Sequence, residues 1–550
     1  MKKIREKSDY RLYVFCAVTL VLVGGYSLLQ QGIMCNDELL LRLYGQRGVI
    51  PFLKKTIINE CILKGRVLGA IGNLKVLSFL SDNLYVFRFI DVLVILLTVI
   101  FFGYFVFKLF NNKWLSLTVV ILLWVFLPIT FEFAVPNAFV IVCCQPLMLL
   151  IFSFVLYIKY LETDARKHLL LSLMLYLWAM FLYEFIITYI FVYPIMYFVK
   201  KLKYKLDVKK CFLSSLPVLG VAVFYLILYI LQGAVFKTQY SGTKLGIRSI
   251  RDVLDVIKML AISACPGYYA FINNKHDYLF ELYNQGGVKV DNLINPSLVI
   301  FVISLFLILK MLLRHNFVLK NKRETVAVML FIALYCFLPA LPNGVSLMYQ
   351  GNVTPDNFTS LPVSIYLYFS NVLLISYILW NFKTYINKIA LDYILIFLIL
   401  LVSARIQVGN TVFAKEQYNN FQRIVNIENV LKLGYFDRFG AITIVSPSFF
   451  ETRNSLAVES DHWTQFAETV LGKKIEVLDV YGEKGDIYIE MQDDATFFVY
   501  WENNYVLISK QNKNGEIALR NINKHYEAFQ IGDCMFVEDE YKIYSLSRIE

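Results

Sequence analysis

Long apolar runs separated by short polar segments dominate the first 404 residues of the chain. The first run extends from Leu12 to Leu29, which is long enough to cross a bilayer as a helix. Ten further runs follow, centred near residues 86–107, 114–129, 138–158, 168–183, 185–199, 211–235, 298–313, 325–341, 362–381 and 388–404. The pattern predicts an all-α polytopic membrane domain over residues 1–404, with about eleven membrane-spanning helices.

The basic residues indicate the orientation of these helices. Lysines and arginines precede the first run, and they recur in every second connection, near residues 113, 166–167, 200–210, 314–323 and 383–388. Because short cytoplasmic loops carry an excess of Lys and Arg, the N-terminus and these connections are predicted to be cytoplasmic. The segments 30–84, 236–297 and 342–361, and everything after residue 404, are then predicted to face outward.

Residues 168–199 are apolar enough to form one long tilted helix or two short helices joined by a turn. We prefer a hairpin that turns at Tyr183 and Glu184. Two crossings keep every later basic connection on the cytoplasmic side, whereas a single crossing would invert all of them.

Residues 405–550 have the texture of a soluble domain. A helix is predicted over 416–433, and strand-like alternation occurs at 441–445, 475–480, 486–491, 496–501 and 505–509. Trp463, Phe466 and Val470 follow helical spacing before Gly472, so we expect them to face a core. The pattern predicts a separately folded α/β or α+β domain outside the cytoplasm.

Composition supports a membrane protein and says little about mechanism. Hydrophobic residues make up 58% of the chain, charged residues only 17%, and the mean hydropathy is +0.57. Lys and Arg number 53 against 42 Asp and Glu, an excess that the cytoplasmic loops explain. We therefore expect no nucleic-acid partner, and the sequence contains neither a Walker loop nor a dinucleotide fingerprint.

The acidic residues of the predicted outer side are the candidate catalytic groups. Asp37 and Glu38 follow the first membrane helix directly, Glu132 lies between the third and fourth, and Glu184 lies at the predicted hairpin turn. A carboxylate at the lip of a cavity can accept a proton from a hydroxyl group. Asp37 and Glu38 are also candidate ligands for a divalent cation, Mg²⁺ or Mn²⁺. Solvated helix ends are the alternative interpretation of each acid.

Basic outer residues are the candidate anion-binding groups. Arg66 lies beside Gly65 in the first outer loop, where its guanidinium fork is suited to a lipid-linked phosphate. Lys237, Arg248 and Arg251 are suited to phosphates or to anionic lipid headgroups. His276, next to Asp277, is a candidate acid or base.

Taken together, these features resemble the GT-C superfamily of membrane glycosyltransferases, in a bacterial uncharacterised branch. The resemblance rests on the inside N-terminus, the acidic motif Asp37-Glu38 that opens a long first outer loop, the second acid Glu132, and the outer C-terminal domain. It implies a polyprenyl-phosphate-linked sugar donor and a glycan, lipid or protein acceptor at the bacterial plasma membrane. It assigns catalysis to Asp37 or Glu38, with Glu132 in support. Glu184 is, independently of the resemblance, a candidate substrate-binding residue.

Two other functions fit the same topology. A polysaccharide polymerase or ligase would depend on Arg248, Arg251 and His276 rather than on Asp37. A lipid or glycan transporter or flippase would place charged residues near the bilayer midplane, on broken helices. The acids of this chain lie instead at the predicted outer surface, which favours the transferase.

Overall fold

The computed structural model describes most of the first 432 residues and shorter segments after them. The described ranges are 2–33, 36–72, 83–128, 139–201, 208–236, 244–266, 296–313, 322–352, 363–385, 389–432, 441–445, 460–472, 474–478, 496–502, 505–510, 527–531, 534–538 and 543–548. Their contacts divide the chain into two units, one formed by residues 1–31 with 44–414 and the other by residues 32–43 with 415–550.

The first unit is helical. Its helices, including two that continue into the second unit, are α1 (Lys2–Leu29), α2 (Asn36–Gln46), α3 (Val49–Thr56), α4 (Gly69–Gly72), α5 (Leu84–Phe110), α6 (Lys113–Val125), α7 (Val140–Thr163), α8 (Arg166–Leu182), α9 (Val192–Lys201), α10 (Val208–Phe236), α11 (Ile250–Ser263), α12 (Pro296–Leu312), α13 (Lys322–Phe337), α14 (Leu341–Gly344), α15 (Leu347–Asn352), α16 (Ser364–Tyr385) and α17 (Ile389–Lys432). A π-helical turn occupies Ile57–Leu63, and 3-10 helices occupy Glu184–Phe191 and Leu338–Ala340.

Five segments of the described helices are long and apolar enough to cross a membrane: Arg11–Leu29, Leu84–Phe110, Val140–Thr163, Cys211–Phe236 and Ala390–Lys415. Three shorter apolar helices, Lys113–Val125, Pro296–Leu312 and Val328–Gly344, accompany them. The chain is therefore a helical membrane protein. The full number of eleven crossings stays a prediction.

The chain reverses direction at Tyr183. Helix α8 ends at Leu182, Tyr183 is extended, and a 3-10 helix follows. The Tyr176 hydroxyl donates to the carbonyl of Ile187 at 2.8 Å, and the Tyr176 and Tyr193 rings lie 5.3 Å apart. Seventeen residues of straight helix would separate those two rings by about 25 Å. The turn predicted for 168–199 is confirmed.

Aromatic and small polar side chains fill the core of the first unit. Tyr193 is fully buried, and its hydroxyl lies 2.6 Å from Ser153 Oγ, which in turn lies 2.9 Å from Ser172 Oγ. The Phe154 ring packs edge-on against Tyr193 at 5.2 Å. Hydroxyl groups that bond to one another satisfy each other away from water, so helices α7, α8 and α9 pack closely.

The second unit contains a mixed sheet and the end of α17. Its strands are β1 (Ala441–Val445), β2 (Lys474–Leu478), β3 (Thr496–Glu502), β4 (Tyr505–Lys510), β5 (Glu527–Ile531), β6 (Cys534–Glu538) and β7 (Ile543–Arg548). They run in the order β2-β1-β3-β4-β7-β6-β5. Strand β1 pairs parallel with β2 and β3, and the other pairs are antiparallel. The parallel β1–β2 pair is joined through helix α18 (Ser460–Phe466).

Two sequence predictions differ from the described segments of this unit. A membrane helix ending at 404 and a separate helix at 416–433 were expected, and one continuous helix, α17, replaces both. Trp463 and Phe466 are fully buried as expected, but Val470 is 42% exposed. Residues Ala467–Leu471 form a π-helical turn, whose wider winding rotates Val470 away from the core face. The expected strand at 486–491 lies outside the described residues.

Candidate functional site

Arg66 and Glu184, which are 118 residues apart in sequence, form the centre of the site. Arg66 Nε donates to Glu184 Oε2 at 2.9 Å, and Arg66 Nη2 donates to Glu184 Oε1 at 3.2 Å. This is a bidentate pair, the geometry in which a guanidinium holds a carboxylate most firmly. The sequence predicted both residues as substrate-binding groups, and it did not predict that they bind each other.

A second carboxylate, Glu60, completes the cluster. Arg66 Nη1 lies 3.4 Å from Glu60 Oε2, and Lys64 Nζ lies 2.8 Å from Glu60 Oε1. Sequence reasoning missed Glu60. The signal available was its spacing of four residues from Lys64 on one helical turn. We name Glu60, Lys64, Arg66 and Glu184 the carboxylate–arginine cluster; its two basic and two acidic side chains balance in formal charge.

The backbone around Arg66 explains why this loop can approach Glu184. The π-helical turn ends with Arg66 N–H donating to the carbonyl of Glu60 at 2.9 Å. Gly65 has φ +79°, a left-handed conformation that other residues adopt at a cost. A Cβ on Gly69 would lie 2.7 Å from the Cβ of Glu60 and 3.0 Å from that of Arg66. The local backbone geometry therefore requires glycine at both Gly65 and Gly69.

Hydrogen bonds fix the loop to the neighbouring helices. The N–H of Leu68 donates to the carbonyl of Phe181 at the end of α8, at 3.2 Å. Gln232, near the end of α10, donates through Nε2 to the carbonyl of Cys61 at 2.7 Å. The cluster is consequently built on three elements, the π-helical turn, the α8 terminus and α10, rather than on a free loop.

Burial and an aromatic ring strengthen the pair. The Arg66 side chain is only 9% exposed, and its guanidinium carbon lies 4.2 Å from the centre of the buried Tyr183 ring, within cation–π range. The Glu184 side chain keeps 27% of its surface exposed. Of the two side chains, that of Glu184 is the more exposed.

The protonation states follow from the same contacts. Burial by itself would raise the pKa of Glu184, but the Arg66 guanidinium outweighs burial, and the pKa lies below its ordinary value. Burial would lower the pKa of Arg66, and the charge of Glu184 raises it well above its ordinary value. Both groups are therefore ionised at neutral pH.

The acidic motif of the first outer loop is only partly described. Asp37 lies in the first turn of α2, and its side chain is outside the described part of the structure. Glu38 is fully buried within the second unit. The Glu38 carboxylate is therefore closed to a hydroxyl in solvent, and the catalytic role of Asp37 stays a prediction.

Arg42, on the same helix α2, was missed by the sequence analysis. Its Nη1 donates to both carboxylate oxygens of Glu428 at 2.9 Å, and both side chains are 2% exposed. The Arg42 guanidinium also lies 5.2 Å from the centre of the Phe421 ring. Residues 32–43, which carry the acidic motif, are thereby attached to the end of helix α17.

The remaining predicted site residues do not join the carboxylate–arginine cluster in the described structure. Glu132, Lys237 and His276 lie outside the described residues. Arg248 and Arg251 are exposed, and Arg251 forms an ion pair of 3.7 Å with Asp255. Across the described ranges, no group of three or more His, Cys, Asp or Glu side chains is arranged to hold a metal ion. The side chains of Asp37 and Glu132 lie outside the described part of the chain.

The described site thus consists of an ionised, accessible carboxylate held by a buried arginine and bordered by a tyrosine ring. Such a carboxylate accepts hydrogen bonds from hydroxyl groups and attracts cations. Its lowered pKa makes it a weak base. A scan against protein-family models found no match to the chain, and a search of curated proteins found none either.

Proposed function

We propose that this chain is a membrane glycosyltransferase that moves a sugar from a polyprenyl-phosphate-linked donor to a glycan, lipid or protein acceptor of the bacterial envelope. The reaction takes place at the outer face of the plasma membrane. In the proposed topology the N-terminus is cytoplasmic, about eleven helices cross the membrane, and residues 405–550 form an extracytoplasmic domain.

The observation that carries the proposal is the carboxylate–arginine cluster. Arg66 and Glu184 belong to two different segments that the charge pattern places on the outer side, and they meet at 2.9 Å. A sugar is recognised through its hydroxyl groups, which donate hydrogen bonds to ionised carboxylates. The Arg66 guanidinium, itself packed on the Tyr183 ring, holds the Glu184 carboxylate in one position, so a ligand hydroxyl would meet a fixed acceptor.

Other contacts support the proposed topology. Gln232 at the predicted outer end of α10 bonds to Cys61 in the first outer loop. Lys200 and Glu162, both on the predicted cytoplasmic side, form an ion pair at 2.9 Å. Each of these contacts joins segments that the basic-loop pattern assigns to the same side of the membrane.

In this proposal the acidic residues have different chemical roles. Glu184 accepts hydrogen bonds from the sugar because its lowered pKa makes it a poor base. The resemblance to the membrane glycosyltransferases, and not a described contact, assigns to Asp37 the role of accepting the proton of the attacking hydroxyl, with Glu132 in support. Asp37 is also the candidate ligand for a divalent cation that would stabilise the departing phosphate. A lipid phosphate is a good leaving group, so positioning and charge stabilisation supply most of the acceleration.

The test uses the purified protein in lipid nanodiscs with polyprenyl-phosphate hexoses labelled in the sugar, and an envelope fraction as acceptor. We expect label to move to the acceptor fraction and polyprenyl phosphate to be released. Glu184→Gln should lower kcat/KM by roughly 10- to 150-fold, the effect of losing one hydrogen bond to a charged group. Asp37→Asn should lower kcat by about 10²- to 10⁴-fold.

The matched control is Glu162→Gln, which removes an ion-paired carboxylate on the predicted cytoplasmic side and should leave the rate within twofold of the unaltered protein, roughly. Normal turnover by both Asp37→Asn and Glu184→Gln would refute the proposed roles. Transport of an intact lipid-linked sugar across a vesicle membrane, without release of polyprenyl phosphate, would show a transporter instead. Dependence on Arg248, Arg251 and His276 alone would indicate the polymerase or ligase.

A further inference from the structure

The segment of residues 244–258 exposes apolar and basic side chains together. Ile250 and Leu254 of helix α11 are 74% and 59% exposed, and Leu245 and Ile247 just before the helix are 67% and 64% exposed. Lys244, Arg248, Arg251 and Lys258 are also exposed. The segment contains four basic and two acidic residues.

The opposite face of α11 is buried. Val256 and Leu260 are fully buried and Met259 nearly so, on the side of the helix opposite Ile250 and Leu254. Asn371 of α16, a helix predicted to cross the membrane, donates to the carbonyl of Ala261 at 3.2 Å. Helix α11 therefore lies against a membrane helix and turns its mixed apolar and basic face away from the protein.

Gln350 holds the start of this segment in place. Its Nε2 donates to the carbonyls of Gly246 and Gly344 at 2.8 Å each, and its Oε1 accepts from the N–H of Arg248 at 2.8 Å. The N–H of Leu347 donates to the carbonyl of Lys244 at 3.0 Å. The second and third predicted outer loops are thus tied together, which fixes the direction in which the exposed side chains point.

We infer that the exposed face of residues 244–258 docks on the anionic headgroup layer of the bilayer. On the helix, Ile250 and Leu254 form the apolar sector, and Lys258 and Arg251 lie next to it. This is the arrangement in which apolar side chains enter the boundary between headgroups and acyl chains while basic side chains reach lipid phosphates. The long, exposed ion pair of Arg251 with Asp255 is weak and does not compete with this contact.

The test is hydrogen–deuterium exchange of the full-length protein in nanodiscs of phosphatidylcholine, with and without phosphatidylglycerol. Exchange of residues 244–258 should slow when phosphatidylglycerol is present. The variant Arg248→Gln/Arg251→Gln/Lys258→Gln should lose this effect, because each basic residue near an anionic surface strengthens docking by about fivefold and three of them by roughly 100-fold.

A matched control removes three exposed basic residues from the predicted cytoplasmic side, as Lys159→Gln/Arg166→Gln/Lys167→Gln. It should leave the lipid response of residues 244–258 intact. Exchange rates that are equal in neutral and anionic lipid, or equally affected by both variants, would overturn the inference. Slowed exchange in neutral lipid that depends on two protein copies per nanodisc would also overturn it, and would identify a protein interface.

Discussion

Replacing Arg42 by Met should destabilise the second unit strongly. In the structure one nitrogen of Arg42 donates to both oxygens of Glu428, and both side chains are almost completely buried. Methionine fills a similar volume against Phe421 but carries no charge. Glu428 is then left as a buried carboxylate without the guanidinium that compensates it.

The magnitude follows from that burial. Removing one partner of a buried ion pair costs about 3–5 kcal/mol, because the remaining carboxylate loses its guanidinium while it stays out of water. For a unit of about 150 residues, this free energy lowers the unfolding temperature by roughly 10 °C or more. The partly exposed pair of Lys200 with Glu162 gives a contrast. Lys200→Met breaks this pair and should lower the free energy of unfolding by about 1 kcal/mol or less.

The assay is thermal unfolding of the full-length protein in detergent, followed by tryptophan fluorescence, since Trp463 reports from the core of this unit. The double variant Arg42→Met/Glu428→Leu should be more stable than Arg42→Met, because the Glu428 carboxylate is then no longer buried beside an apolar side chain. The reasoning is refuted if Arg42→Met unfolds at the same temperature as Lys200→Met, or if the double variant is no more stable than Arg42→Met.

Three further predictions concern the site and the topology. Because the pKa of Glu184 is lowered in the folded protein, the stability that its carboxylate contributes is complete at neutral pH and is lost as the pH falls below about 4.3. The unfolding temperature of Glu184→Gln should therefore fall less on acidification than that of the unaltered protein. Gly69→Ala should reduce transferase activity at least tenfold, roughly, by pushing Glu60 and Arg66 apart, and Gly220→Ala, at a glycine with open space, should not. A reporter that is active only in the cytoplasm should be silent when fused after residue 550, and an active reporter would show an even number of crossings.

Helices, turns and strands that follow from local hydrophobic periodicity were predicted well. The break at Tyr183 followed from hydrophobic length and from the basic connections on either side of it. The boundaries of strands β1 and β4 followed from alternation. The prediction wrongly ended the membrane helix at residue 404, because hydropathy falls there. Helix α17 continues because no proline or capping motif interrupts it before Lys432.

Pairings across long sequence separations were not predictable. Nothing near Arg66 in sequence indicates Glu184, and nothing near Arg42 indicates Glu428, 386 residues later. Such pairs depend on how the helices pack, and that packing leaves no repeating pattern in a single sequence. A fragment of residues 405–550 lacks Arg42 and leaves Glu428 without its described cation. We therefore expect that fragment to be less stable than the same segment in the full-length chain.

The bidentate pair between Arg66 and Glu184 has a consequence for how the proposed donor would bind. A donor phosphate that takes the Arg66 guanidinium must first displace the Glu184 carboxylate, since both ligands use the same pair of N–H groups. In the proposed transferase the displaced carboxylate would be free to accept hydrogen bonds from the sugar hydroxyls of the same donor. A ligand that carries both a phosphate and a sugar would thus satisfy both members of the pair, whereas a ligand with one of these groups would satisfy only one.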